Sequence, residues 1–518
     1  MSSNIVDVYN GGTILITGST GFLGKLLTEK LLRSSKGIKN IAIIVRDKNG
    51  LSAKQRAANM YEEKIFDRLR KERPDFTNYI KVIDGDLTSP SLSLSTVNHE
   101  WLLKNVNFIF HCAATVKFNE PIKNATKTNI EGSENLIDIA LQMKALKGFV
   151  HVSTAYSHYP RTEIEELFYP TPITASELKQ KLNLDGQPYK IPKGWPNTYT
   201  FTKAITENLI LTYAKRLPIA VFRPSIVGCT YMDPSSGHLE NMNGPSGGYT
   251  AIVCGFLRAV PCKMDKIADI IPADYVVNTL IAVMWDTVNG YYNNSSYREE
   301  PKIFNCVSSA ESPLTWRNFD TGILNSYKVA PPMRSMWYYG IMTYSNSLYG
   351  ILLNVFLHKI PAILLDFIRI LIGKKTKFWK MYVNADKMLN LLRPFSTKEW
   401  KFTNNNTRVL WSSMSQEDQQ LFPFSMHNFD WNQYLNVFYH GIRKNNLHEE
   451  TDNICMALKK NRKLYWIKQF LRFSLTYVVI SMLWKHLFVS PRKPRLVNVM
   501  SFLYYRCFVC IRNNKLRI

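Results

Sequence analysis

Thr17-Gly18-Ser19-Thr20-Gly21-Phe22-Leu23-Gly24 sets three glycines at intervals of three, between an apolar β-branched run, Thr13–Thr17, and a helical stretch, Gly24–Arg33. Leu26, Leu27, Leu31 and Leu32 recur in that stretch at helical spacing. Gly18 and Gly21 let the backbone turn tightly and approach a pyrophosphate. Gly24 lets the helix pack close to the sheet, and the helix N-terminus offers unpaired N–H groups to the anion. Thr17, Thr20, Phe22 and Leu23 complete the loop. Three glycines alone are a weak signal. The strand before and the helix after distinguish this loop from a structural turn.

Further strands are expected at Ile41–Val45, Ile80–Asp84, Phe108–Cys112, Gly148–Ser153 and Ile219–Arg223, with amphipathic helices between them. This alternation predicts a parallel sheet covered by helices on both faces. The second strand ends in Val45-Arg46-Asp47. An acid at this position usually holds the ribose 2′-hydroxyl of NAD, whereas Arg46 suits the 2′-phosphate of NADP. Asp47 is the competing acid. Asp86-Leu87 follows the third strand and is expected near the adenine, and Ala113-Ala114-Thr115 follows the fourth, beside the ribose and nicotinamide.

Tyr199-Thr200-Phe201-Thr202-Lys203 puts a phenol and an ammonium one helical turn apart on one face. A lysine there is expected to lower the phenol pKa from about 10 and make Tyr199 a proton donor and acceptor. Ser153-Thr154, at the end of an upstream strand, offers a hydroxyl to a substrate carbonyl. Cys112 lies near the cofactor edge, but its strand position predicts a buried structural thiol.

These residues resemble the extended short-chain dehydrogenase/reductases. More narrowly, the chain is similar to the alcohol-forming fatty acyl-CoA reductases. The resemblance is carried by His111-Cys112-Ala113-Ala114-Thr115-Val116-Lys117-Phe118, His151-Val152-Ser153-Thr154-Ala155-Tyr156, Pro196–Lys203 and Arg223-Pro224-Ser225-Ile226-Val227, and by the block Phe356–Arg443 with its Ile360-Pro361-Ala362, Asp430-Trp431 and Gly441-Ile442-Arg443. It covers roughly residues 11–445. It implies an α/β fold, a Rossmann-type doubly wound parallel sheet, followed by a mainly helical C-terminal domain; the basic and apolar composition beyond that domain adds a C-terminal membrane-associated segment. With the composition of the two ends, the expected boundaries are 1–10 for an N-terminal tail, 11–330 for the NADP-binding catalytic domain with its substrate-binding part, 335–446 for the helical domain and 459–518 for the anchor.

The resemblance also implies NADPH as cofactor, with Pro224 beside it, and long-chain fatty acyl-CoA as substrate. Thr154, preferred over Ser153, and Tyr199 would stabilise the oxyanion of the thioester. Collapse of the hemithioacetal would release CoA, and a second reduction of the aldehyde would give the alcohol. Lys203 would orient the nicotinamide ribose, and neither a metal nor a covalent cysteine is required. One departure is Gly237-His238-Leu239-Glu240-Asn241, where Gly-Trp-Ile-Asp-Asn is usual; another is Asn445-Asn446-Leu447-His448. Two rival readings share the cofactor loop: another extended reductase of hydroxysteroid or flavonoid type, which does not need Phe356–Arg443, and a non-catalytic NADP-binding scaffold, which has no use for Thr154, Tyr199 and Lys203.

Composition places the protein. Of its 518 residues 46% are hydrophobic and 20% charged, so a large core is expected. The net charge is +25, and no Asp or Glu follows Asp452. The basic residues beyond it alternate with Phe470, Leu471, Phe502 and Leu503 and with Trp and Tyr, a membrane-interface composition rather than a nucleic-acid tail. Membrane lipids are therefore an expected partner and nucleic acid is not; the oligomeric state is not readable. Ile467–Val489 and Val497–Ile511 fit one span, a hairpin or an in-plane helix equally. Leu348–Ile372 is the alternative anchor. The eight scattered cysteines predict a reducing compartment. The catalytic domain is expected to face the cytosol at the endoplasmic reticulum or peroxisome membrane.

Overall fold

The computed structural model describes residues 3–183, 189–240, 244–293 and 299–489. The chain divides into two units, Met1–Ile454 and Cys455–Ile518.

In the first unit, short runs of Ile, Val and Phe form a seven-stranded sheet. Its strands are β1 (Thr13–Thr17), β2 (Asn40–Val45), β3 (Ile80–Asp84), β4 (Phe108–His111), β5 (Gly148–Val152), β6 (Ile219–Pro224) and β7 (Ile303–Cys306). The spatial order is β7-β6-β5-β4-β1-β2-β3, and every neighbouring pair is parallel. The six expected strands appear within one residue of their predicted ends. β7 was not expected. It has four residues, and its apolar run is interrupted by Asn305.

The sheet is buried on both faces. On one face Leu26, Leu27, Leu31 and Leu32 of helix Phe22–Ser34 pack with Val276, Leu280 and Met284 of helix Ala273–Asn293. On the other, Leu136, Ile137 and Ala140 of helix Gly132–Ala140 pack with Ile210 of helix Thr198–Tyr213. The chain leaves β1 toward β2 and β3, then returns to place β4 on the other side. That reversal opens a crevice at the C-terminal ends of β1 and β4, where doubly wound sheets bind ligands.

Within the stretch expected as an N-terminal tail, Asn4–Tyr9 is a helix. Ile5 and Tyr9, one turn apart, are buried, and the Tyr9 hydroxyl donates to the Ile281 carbonyl at 2.8 Å. A second core joins residues from 229–330 with residues beyond 335, including Tyr249, Phe319, Tyr434 and Phe438. Helix Trp316–Val329 lies so close to helix Trp431–Gly441 that a Cβ on Gly322 would fall 2.5 Å from Leu435.

A 31-residue helix, Ile454–Trp484, starts at the last residue of the first unit and makes up most of the described part of the second; it exposes Trp466, Phe470, Phe473 and Tyr477 beside its lysines and arginines. Ile467–Val489 ends in a π-turn, Lys485–Val489. Val497–Ile511 lies outside the described residues. Among the described residues, the helix long and apolar enough to cross a membrane is Leu348–Leu371, in the first unit. Cys112, Cys229, Cys254, Cys262, Cys306 and Cys455 are all free thiols.

Candidate active site

The crevice is a cavity of about 650 Å³. Gly18, Thr20, Gly21, Phe22, Leu23 and Gly24 line one end. Gly18 has φ +71°, and a Cβ there would lie 2.7 Å from the Ala113 nitrogen. A Cβ on Gly24 would lie 2.3 Å from the Gly18 carbonyl oxygen. Gly21 caps helix Phe22–Ser34 with no side-chain hydrogen bond, so the first-turn N–H groups are left for an anion. This bare, glycine-tight helix start fits a dinucleotide pyrophosphate. Thr17 lies beneath the loop rather than in the wall. Its hydroxyl pairs with His111 Nδ1 at 2.7 Å and accepts from the Ala113 N–H at 3.4 Å, which ties β1 to β4.

Arg46, Lys48 and Arg56 line the cavity beyond β2. Arg46 is mostly exposed, and its Nη1 lies 3.6 Å from Asp86 Oδ2. The Arg56 guanidinium donates to the Arg46 carbonyl. Asp47, the competing acid, accepts the Ala53 N–H at 2.7 Å and is absent from the cavity wall. Asp86 and Leu87 line the same end. Desolvation pushes the Asp86 carboxyl up, but hydrogen bonds from Thr88 and the charge of Arg46 outweigh it and hold the group below its usual range.

Helix Thr198–Tyr213 starts at Asn197, whose side chain accepts the Thr200 N–H at 2.9 Å. It brings Tyr199 into the cavity beside Thr154, which follows β5. Burial pushes the Tyr199 phenol well above its ordinary value; the Thr154 hydroxyl facing it opposes the rise. The expected lowering by Lys203 is therefore not what the structure has. The Lys203 ammonium turns inward and donates to the Val152 carbonyl at 2.6 Å, and burial lowers its pKa to about 8. Lys203 lies behind the wall.

Ser153 is also behind the wall, because its neighbour Thr154 takes the cavity side. The Ser153 hydroxyl donates to the buried Glu207 carboxylate. Ala113 and Ala114 line the cavity, but Thr115 is tied to Asn129, donating its N–H to Oδ1 at 2.8 Å. Pro224 contributes a carbonyl that accepts the Ala155 N–H at 2.9 Å. Cys112 touches the cavity rather than being wholly buried, yet burial raises its thiol pKa to about 12. That thiol is no nucleophile near neutrality.

Two features had no sequence signal. Glu207, one turn beyond Lys203, accepts from Arg223 at 3.1 and 2.6 Å and pairs with His158 Nε2 at 2.9 Å. Burial alone would raise Glu207, but Arg223 and His158 hold it well below the usual carboxylate range. This charge cluster fixes the segment that carries Thr154. The second feature is an aromatic wall. Phe118 stacks on Tyr199 at 6.1 Å and on Phe395 at 5.4 Å, and Phe395 meets Tyr156 edge-on at 5.2 Å. Leu392 and Phe395 come from helix Phe378–Ser396, far along the chain. Leu239 and Glu240, in the segment that departs from the family pattern, line the cavity as well.

A Rossmann sheet, a glycine-tight phosphate cradle and a tyrosine–threonine pair in one cavity define a nicotinamide-dependent oxidoreductase of the short-chain dehydrogenase type. Two family models described as male sterility protein match residues 16–280, the NAD-binding part, and 357–449. The chain is 33% identical to fatty acyl-CoA reductase 1 of Xenopus laevis, over 98% of this chain and 97% of that one. Against fatty acyl-CoA reductase 1 of Rattus norvegicus it is 34% identical, with the same coverage of both chains. Against fatty acyl-CoA reductase wat of Drosophila melanogaster it is 35% identical over 88% of each. Among solved structures, the reductase domain of a Mycobacterium tuberculosis nonribosomal peptide synthetase superposes with a TM-score of 0.56 at 17% identity, covering 86% of this chain and 96% of that one. The terminal reductase domain of the myxalamid pathway gives 0.55 at 17% identity, covering 85% and 92%. The two superpositions share the fold. The chain belongs to the fatty acyl-CoA reductase family and is an oxidoreductase.

Proposed function

We propose that this enzyme reduces long-chain fatty acyl-CoA to primary fatty alcohol with NADPH, releasing CoA. The observation that carries the reading is one cavity that joins the phosphate cradle to an aromatic and aliphatic wall across Thr154 and Tyr199. Gly18, Gly21 and Gly24 hold the pyrophosphate, and Arg46, Lys48 and Arg56 supply positive charge for a 2′-phosphate. Asp47, used up as a backbone cap, does not compete for a 2′-hydroxyl. Asp86 and Leu87 border the adenine, and Ala113 and Ala114 the ribose and nicotinamide. Thr17, Thr115, Ser153 and Pro224 support the wall from behind. NADPH bound there supplies one hydride to each of two reductions.

In the first reduction the Thr154 and Tyr199 hydroxyls donate hydrogen bonds to the oxyanion that develops on the thioester carbonyl. Its raised pKa keeps Tyr199 protonated at neutral pH, so it is a donor from the start. Collapse of the hemithioacetal breaks the C–S bond and frees CoA. The resulting aldehyde stays against Phe118, Tyr156 and Phe395. In the second reduction Tyr199 gives its proton to the alkoxide, and the Lys203 ammonium, one helical turn along and held on the Val152 carbonyl, offsets the negative charge that donation leaves on the phenolate. Residues 11–330 form the cofactor and catalytic part, 335–446 supply the acyl wall through Leu392 and Phe395, and 459–518 anchor the protein. The catalytic part faces the cytosol, at the endoplasmic reticulum or peroxisome membrane.

The test is incubation of the purified full chain with palmitoyl-CoA and NADPH. Hexadecanol should form with two NADPH oxidised per CoA released. Accumulation of hexadecanal at one NADPH per CoA would overturn the alcohol assignment, and no CoA release would overturn the substrate class. Truncation after residue 458 should turn the protein from carbonate-resistant to carbonate-extractable, because the anchor is then gone.

A further inference from the structure

The helix from Ser347 to Leu371 carries its polarity on the inside. It runs as Ser347–Asn354, a π-turn Val355–Lys359 and Ile360–Leu371. Gly350, Asn354, His358, Ala362 and Asp366 follow one another at steps of four, and this stripe faces the protein. Asn354 donates to Asp386 at 2.6 Å. His358 Nε2 accepts the backbone N–H groups of Arg258 and Ala259 at 3.0 and 3.3 Å. Asp366 accepts the N–H groups of Lys377, Phe378 and Trp379 at 2.8, 2.9 and 2.8 Å, capping helix Phe378–Ser396. A Cβ on Gly350 would collide with the Tyr344 ring at 2.3 Å.

The opposite face is aliphatic and aromatic. Leu348 is 74% exposed, Phe356 64%, Leu364 57%, Phe367 58% and Leu371 70%, against 3% for His358 and 5% for Asp366. A helix on a water-soluble surface shows the reverse pattern, and an apolar patch this long marks a binding surface. Its border is basic. Lys359, Lys374, Lys375, Lys377 and Lys380 are exposed, while Asp366, the one acid from 347 to 380, is buried under its cap. Trp379, also exposed, lies at the same border. Apolar face, basic rim and border tryptophan together complement an anionic lipid surface.

We propose that this face inserts into one leaflet of an anionic phospholipid membrane and lies in its plane, as a second membrane contact separate from residues 459–518. By length, about 36 Å for 24 residues, the helix is able to cross a bilayer. The stripe decides against crossing, because its polar groups are already hydrogen-bonded to the protein and hold the helix against it. The same hairpin ends at the cavity through Leu392 and Phe395, so the docked element and the acyl wall are one piece of structure.

The experiment uses the full chain with a photoreactive diazirine residue at Leu364 or Phe367, which keeps the face apolar, and at exposed Val97 as control. The protein is reconstituted with vesicles of phosphatidylcholine alone or with 30% phosphatidylserine, a ratio of roughly one anionic lipid in three. Lipid adducts at both test positions, at least threefold above Val97 and more abundant with phosphatidylserine, are expected. Adducts at the Val97 level, adducts to a second copy of this chain, or equal yields on the two vesicles would overturn the proposal. A membrane-impermeant amine reagent should label Lys359 as fully as Lys374. Protection of Lys359 with Lys374 labelled means that the helix crosses, and would overturn the in-plane placement.

Discussion

Replacing Glu207 by Gln tests the buried charge cluster behind Thr154. Glu207 and Arg223 are both fully buried, and two of the four hydrogen bonds that Arg223 makes run to this carboxylate, at 3.1 and 2.6 Å. The other two go to the carbonyls of Glu165 and Leu167, each at 3.0 Å. Breaking a buried pair from one side typically costs about 3–5 kcal/mol, because it leaves the partner's charge uncompensated. An amide keeps one acceptor and the two carbonyls remain, so the lower end, about 3 kcal/mol, is expected here. At about 2 °C per kcal/mol for a large domain, Tm should fall by about 6 °C. Scanning fluorimetry of the full chain in detergent measures this. The sign with pH follows from the depressed carboxyl of Glu207. Its stabilisation is complete above the unfolded carboxylate value of about 4.3 and is lost only as pH falls through the lower folded value. The deficit of the variant should therefore be constant from pH 6 to 8. Arg223→Met added to Glu207→Gln should recover most of the loss, since the stranded charge is then gone. A single variant melting within 1 °C of the parent protein would refute the argument.

Tyr199→Phe should cut alcohol formation by about 10²–10⁴-fold while NADPH still binds, measured by nucleotide fluorescence beside turnover; normal turnover would displace Tyr199 as proton donor. Arg46→Ala should raise KM for NADPH by roughly tenfold and leave KM for NADH nearly unchanged, a loss of about 1.4 kcal/mol, modest because the arginine is exposed. An equal effect on the two cofactors would remove Arg46 from the 2′-phosphate. Lys203 carries a lowered pKa of about 8, so its ammonium is present below that pH and lost above it. kcat/KM should fall as pH rises through about 8, and Lys203→Arg should move that limb upward; a profile flat to pH 10 would exclude the role.

The strand runs were legible because a parallel sheet buries both faces, leaving continuous apolar stretches such as Ile14-Leu15-Ile16 that read without context. β7 escaped because four residues around Asn305 carry too little pattern, and its partner strand supplies the rest. The glycine loop was legible because the requirement is local. Gly18 needs a positive φ, and Gly24 needs to lie against Gly18 in the same turn.

Sequence by itself determined what depends on neighbours in the chain: the nucleotide loop, the Tyr199–Lys203 turn, and the charge bias beyond Asp452. Tertiary structure decided what depends on facing directions and distant partners. It turned Thr154 to the cavity and Ser153 to Glu207, since successive residues point to opposite sides of an extended backbone. It turned Lys203 to a carbonyl of β5 and let burial, not lysine charge, govern Tyr199. It brought Phe395 to Phe118 across nearly three hundred residues of chain. It also showed which face of Ser347–Leu371 is outward, because apolar residues fill most of that helix and only the hydrogen-bond partners of Asn354 and His358 tell the packed side from the exposed one.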